Sequence, residues 1–152
     1  MNTSKKPIFI LLKSSKEDYT VAVNVDDLKR LVIHKKGKMV IDVHSSFHSL
    51  TLPVTQDEIN GLERSVAKRY NLVTLGSVIS LKETRDAYNA ILKVSTEATS
   101  TYIWPRGISM MLVSNDEVSI DIFGQEEALT HKLSAVPSTS DVVKAFELLN
   151  IC

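Results

Sequence analysis

The chain is 152 residues long, 43% hydrophobic and 24% charged, with 18 basic residues balancing 18 acidic ones. That is the make-up of one ordinary soluble globular domain, and no stretch approaches the roughly 18 apolar residues a membrane span needs. The single cysteine, Cys152, excludes an intramolecular disulfide and points to a reducing, cytoplasmic setting. The neutral total hides a polarity: residues 1–50 hold nine basic residues against five acids, and residues 101–152 hold three against seven. Such asymmetry suits a basic nucleic-acid surface or complementary patches on a self-associating protein.

In chain order, Pro7–Lys13 is an apolar run that reads as a strand, too short for a signal-peptide core or a membrane span. Ser14–Asp18 is a polar turn, and Tyr19–Val25 alternates as a second strand, with Tyr19, Val21 and Val23 on the inner face. Asp26 and Asp27 break that strand, since short carboxylates favour turns. Leu28–His34 and Met39–His44 flank Lys35-Lys36-Gly37-Lys38, a hairpin turn in which Gly37 supplies a positive φ. Phe47–Leu52 is a further strand, stopped by Pro53.

Thr55-Gln56-Asp57-Glu58 forms a capping box, and Ile59, Leu62, Val66 and Tyr70 recur at helical spacing behind it. The expectation is an amphipathic helix over Thr55–Tyr70. Leu72–Ile79 reads as a short strand or extended connector. Ser80-Leu81-Lys82-Glu83 looks like a second capping box, with Tyr88, Ile91 and Leu92 as the stripe of a second helix. Thr101–Trp104 is extended, and Ile108–Val113 and Val118–Phe123 flank the Ser114–Glu117 turn as a hairpin. Glu126–Leu133 has helical composition. Asp141–Ile151 carries the stripe Val142, Val143, Phe146 and Leu149, a terminal helix that must dock on something.

The pattern predicts a single α+β domain over residues 1–152: an antiparallel sheet or partial barrel of about eight short strands, packed by about four helices. A split near Asn71 is conceivable but would leave two small units with thin cores.

The densest group of ligand-type residues is Asp42, His44 and His48. Residues 42 and 44 share a face of a strand, and His48 would complete a three-ligand metal site for a small metal-assisted hydrolase. Two-histidine phosphoester chemistry needs a second His-x-Ser/Thr. His131-Lys132-Leu133-Ser134 places its hydroxyl one residue too far. The acids Asp116, Glu117, Asp121, Glu126 and Glu127 read as solvated turn and strand residues. Five glycines stand singly, so no phosphate loop is present, and no serine sits in a Gly-x-Ser-x-Gly elbow. No cofactor is implied.

Two surfaces suggest binding. Lys29, Arg30, Lys35, Lys36 and Lys38 would give a basic hairpin able to contact nucleic acid. Tyr102, Trp104, Arg106 and Met110 combine residue types enriched at interface hot spots with an adaptable apolar side chain. In the absence of a catalytic constellation, the leading expectation is a non-catalytic macromolecular interaction protein that binds another protein or a second copy of itself. A nucleic-acid-binding hairpin is the alternative, and the metal-assisted hydrolase a further one.

Overall fold

The computed structural model describes residues 9–150. Pro7 and Ile8 of the first expected strand, and Ile151 and Cys152 at the end, lie outside the described residues. Within them the chain forms twelve strands and two α-helices. In order these are β1 (Phe9–Ser14), β2 (Tyr19–Asn24), β3 (Leu28–His34), β4 (Val40–Ser45), β5 (Ser49–Pro53), α1 (Gln56–Arg69), β6 (Asn71–Leu75) and β7 (Ile79–Lys82). They continue with β8 (Ala90–Ser95), β9 (Thr99–Ile103), a single 3₁₀ turn (Pro105–Gly107), β10 (Ile108–Ser114), β11 (Glu117–Ile122), β12 (Leu129–Lys132) and α2 (Thr139–Leu149).

The centre of the molecule is a seven-stranded sheet in the order β5-β4-β3-β9-β8-β6-β7, which does not close into a barrel. Its strands come from both sides of Asn71. Register assigns its two faces. Leu31 and Ile33 lie opposite Val43 and Ile41 on one side and Tyr102 and Ser100 on the other, and Ile41 lies opposite Leu52. Directly opposed residues point the same way, so these side chains share a face. The β1–β2 hairpin and α1 cover that face through Ile10, Leu12, Val23, Ile59, Leu62 and Val66, giving a first core. The other face carries Val73, Leu75, Leu92, Val94 and Ile103. There a three-stranded sheet, β10-β11-β12, and α2 pack through Val118, Ile120, Ile122, Ala145 and Leu149 to make a second core.

Local chemistry sets the first helix. Thr55 accepts from the Glu58 amide at 3.2 Å while Glu58 accepts from the Thr55 amide at 3.0 Å, so the expected capping box is formed. The same Glu58 carboxylate accepts from the Ser15 amide at 2.9 Å, which ties the β1–β2 turn to the helix start. Gly37 takes its expected positive φ of 69°, and Asn115 turns the β10–β11 hairpin at φ 57°. Pro53 ends β5, an edge strand whose outer side needs no ladder donor.

The α+β class holds, but two expected helices are strands. The residues from Ser80 belong to β7 and to an irregular segment leading into β8. Ile91 faces the first core and Leu92 the second, so the apolar run is a strand buried on both faces. Glu126–Leu133 contains β12, recruited by pairing with β11. Nor is the main sheet purely antiparallel. The β6–β7 hairpin turns to the outside and the chain crosses back, so β8 runs parallel to β6. Tyr19, expected inside, is exposed at the start of β2. No described helix is long and apolar enough to cross a membrane.

Candidate functional site

The part of the main sheet formed by β3, β4 and β5 contributes no residue to the second core, and on that side its side chains from Arg30, Val32, His34, Asp42 and His44 are partly buried. The register lays polar side chains across it in rows: Arg30, His44 and Ser49; then Val32, Asp42 and Thr51; then His34, Val40 and Pro53. Asp42 and His44 do share a face, as their spacing requires. Asp42 already has a partner on each oxygen. Thr51 donates to Oδ1 at 2.7 Å, and His34 Nε2 lies 2.8 Å from Oδ2. Burial alone would raise the Asp42 carboxyl, but the hydrogen bonds from Thr51 and His34 and the charges of His34 and His44 outweigh it and hold it below its ordinary value.

His44 Nδ1 sits 3.2 Å from the Ser49 hydroxyl. Burial, then the neighbouring Arg30 charge, lowers the imidazole below its ordinary value, with Asp42 opposing. That shift favours the neutral imidazole, the form that can serve as a base toward Ser49. A hydrolytic nucleophile also needs a group that orients the base and donors that stabilise the oxyanion, within a site that excludes water. Here His44 is half-buried and Ser49 is exposed on the edge strand β5.

His48 does not join Asp42 and His44. It lies in the β4–β5 turn, where its backbone bonds Ser45, and its side chain lines a cleft of about 290 Å³ on the first-core face beside Phe9, Val21, Val43 and Leu50. Among the described residues no group of three or more His, Cys, Asp or Glu side chains is placed to hold a metal ion.

The expected hot-spot group is dispersed. Tyr102 and Trp104 are each 1% exposed. They share a face as expected, but α1 covers it: the Tyr102 hydroxyl donates to Glu63 at 2.9 Å, and Trp104 packs edge-on against Tyr70 with ring centroids 5.6 Å apart. Both are core residues and cannot form an exposed contact surface. Arg106, in the 3₁₀ turn, is exposed and donates to the Val25 carbonyl at 2.9 Å. Only Met110, 59% exposed on β10, presents an unengaged apolar side chain.

The basic hairpin is dispersed too. Lys35 turns toward α1 and pairs with Glu63 at 3.1 Å, and Lys36 pairs with Glu97. Arg30 points to the opposite face of the sheet, and Lys29 is pinned at its backbone, where its carbonyl accepts from Trp104 and Gly107 packs against it. Lys38 is exposed at the turn.

Sequence reasoning missed the outer edge of the three-stranded sheet. β10 pairs only with β11, and among the described residues no other backbone bond reaches Ser109–Ser114. Its seven residues, Ile108 to Ser114, include no charge, and Met110 and Leu112 stand 59% and 58% exposed on its outer face. The uncharged run was legible; that it forms an edge was not. No protein-family model matches the chain, and neither the curated proteins nor the solved structures compared with it give a match.

Proposed function

We propose that the protein is a non-catalytic binding module that works by strand pairing at the β10 edge, with a second copy of itself as the partner. The observation that carries this reading is an uncharged edge strand, unpaired on its outer side among the described residues, with two large apolar side chains on its outer face. Free edges template pairing with other strands, and proteins usually blunt them with charge, proline or brevity. Here β5 ends in Pro53, while β7 and β12 are four residues long and carry Lys82 and Lys132. β2 is also uncharged, but its one exposed large side chain, Tyr19, stands at its first residue, followed by the small exposed Thr20 and Ala22; its partner β1 presents Phe9 and Leu11 but carries Lys13.

The charge pattern accommodates a second copy as the occupant. The regular stretch beyond the bulge at Ile108/Met110 is Met110–Ser114. Antiparallel self-pairing about Leu112 would place Leu112 opposite its own counterpart and Met110 opposite the second copy's Ser114. The flanking acids are Asp121, beside Met110, and Glu117, beside Ser114. Across the pair they would sit three strand spacings apart, about 14 Å, beyond the ~8 Å screening length at physiological salt. Self-pairing therefore builds an apolar stripe of Met110 and Leu112 from both copies without a like-charge penalty. The reading keeps the cytoplasmic setting suggested by the lone cysteine. The basic-hairpin alternative has less support, because Lys35 and Lys36 are already paired and Arg30 faces away.

One five-residue strand pair is smaller than a standard interface, so association is expected with a dissociation constant of roughly 10–100 µM. Sedimentation velocity across that range, under reductant to keep Cys152 from cross-linking, should show reversible dimerisation that Leu112→Lys abolishes while the fold is retained. A monomer throughout the range, or a dimer indifferent to Leu112→Lys, refutes the reading.

A further inference from the structure

Among the described residues Arg30 is a half-buried cation with no ion-pair or side-chain hydrogen-bond partner. None of the ion pairs among the described residues includes it, and its buried Nε meets no hydrogen-bond acceptor. Polar groups sealed from water are normally satisfied, and charged ones almost always. The carboxylate it senses is Asp42, which bonds Thr51 and His34 and makes no hydrogen bond or ion pair with Arg30. Thus Asp42 tempers the local field without satisfying the guanidinium.

The next strand supplies a second donor. His44 lies directly opposite Arg30, and Ser49 directly opposite His44. In the tautomer in which Nδ1 accepts from the Ser49 hydroxyl, the ring proton sits on Nε2. A guanidinium fork and an imidazole N–H then stand on adjacent strands, about 5 Å apart at their Cβ atoms. Both are donors only, and the planar fork matches two oxygens of one oxyanion. The groups facing this position are Arg30 and His34 from β3, Asp42 and His44 from β4, and Ser49 and Thr51 from β5, with uncharged Ile103 and Thr101 on β9. The unsatisfied charge in that set is positive, which disfavours a metal cation at Asp42 and His44.

We infer that the Arg30–His44–Ser49 row is a binding site for an oxyanion, a carboxylate or phosphate group carried by a small molecule. The site is separate from the β10 edge and does not depend on pairing there.

The test is an NMR titration of isotope-labelled protein at pH 7 with sodium phosphate, and separately with sodium acetate, at ionic strength held constant with chloride. Saturable shifts confined to Arg30 Nε–Hε, the His44 ring and Ser49, in the millimolar range, are expected for at least one anion. Which anion saturates distinguishes a phosphate from a carboxylate ligand. Arg30→Met should weaken binding at least tenfold with the remaining backbone spectrum unchanged. His44→Phe, which removes the Nε2 donor, should weaken it comparably and carries the test if Arg30→Met does not fold. Non-saturating shifts, shifts centred on Lys36 and Lys38, or wild-type affinity in either folded variant would overturn the assignment.

Discussion

Removing the Glu63 carboxylate probes how α1 is held on the sheet. Glu63 projects from the helix into a polar pocket in an otherwise apolar interface: Tyr102 donates to it at 2.9 Å, Lys35 lies 3.1 Å away and Lys93 3.7 Å. Lys93 also sits over the Tyr102 ring, 5.4 Å from its centroid. In Glu63→Ala the buried phenol loses a charge-assisted hydrogen bond worth about 1.5–3 kcal/mol and has no acceptor in its place. The two lysines, about a quarter exposed, each add a few tenths of a kcal/mol to the loss. The expected cost is about 2–4 kcal/mol, or roughly 6–12 °C in Tm for a chain of this size. Glu63→Gln keeps an acceptor and should cost about 1 kcal/mol. A double-mutant cycle by urea denaturation, combining Glu63→Ala with Tyr102→Phe, should give a coupling energy of about 1.5–2 kcal/mol, because each single change already breaks the shared bond. The pH dependence has a definite sign. Burial alone would raise the Glu63 carboxyl, but hydrogen bonds from Lys35 and Tyr102 and the charges of Lys35 and Lys93 hold it below its ordinary value of 4.5. A depressed carboxyl contributes stability that is present above pH 4.5 and lost as pH falls through the folded-state value. The wild type should therefore lose stability more steeply below pH 4.5 than Glu63→Gln. Additive single-mutant effects, with coupling under about 0.5 kcal/mol, or identical acid limbs, would refute the reasoning.

Trp104 is the sole tryptophan and almost wholly buried against Tyr70, so its fluorescence should be blue-shifted and resist acrylamide quenching. Trp104→Ala should cost about 3–5 kcal/mol in stability; a solvent-like emission spectrum or an unchanged unfolding midpoint would return this residue to the surface. Thr55→Ala should cost about 1 kcal/mol through the lost cap. Glu58→Ala should cost more, because that carboxylate also holds the Ser15 amide; equal costs in urea melts would show that the link to the β1–β2 turn contributes nothing.

Much of the site chemistry depended on which residues stand opposite one another. The Asp42–His44 spacing placed both on one strand face, as period-two geometry demands. What captures Asp42 is His34, and that depends on the hairpin register: His34 pairs with Val40 and not with Met39, which brings Asp42 diagonally within reach. A one-residue change in register moves every side chain to the other face, and the Lys35–Met39 turn does not dictate it. Tyr102 and Trp104 were legible as neighbours on one face, but whether that face met water depended on α1 packing over it.

The sequence by itself determined the elements whose signals are local: the capped helix α1, the hairpins turned at Gly37 and at Ser114–Glu117, and the proline that ends β5. Side-chain caps and left-handed turn residues act within a few positions of the chain, so their physics is written in neighbouring letters. Only the tertiary structure decided that Ile91 and Leu92 serve two different cores, that β12 is a strand, and that β10 is an edge. It also decided that, among the described residues, Arg30 stands unpaired beside His44. Each of these outcomes depends on contacts between segments distant in sequence, where burial and strand pairing override local propensity.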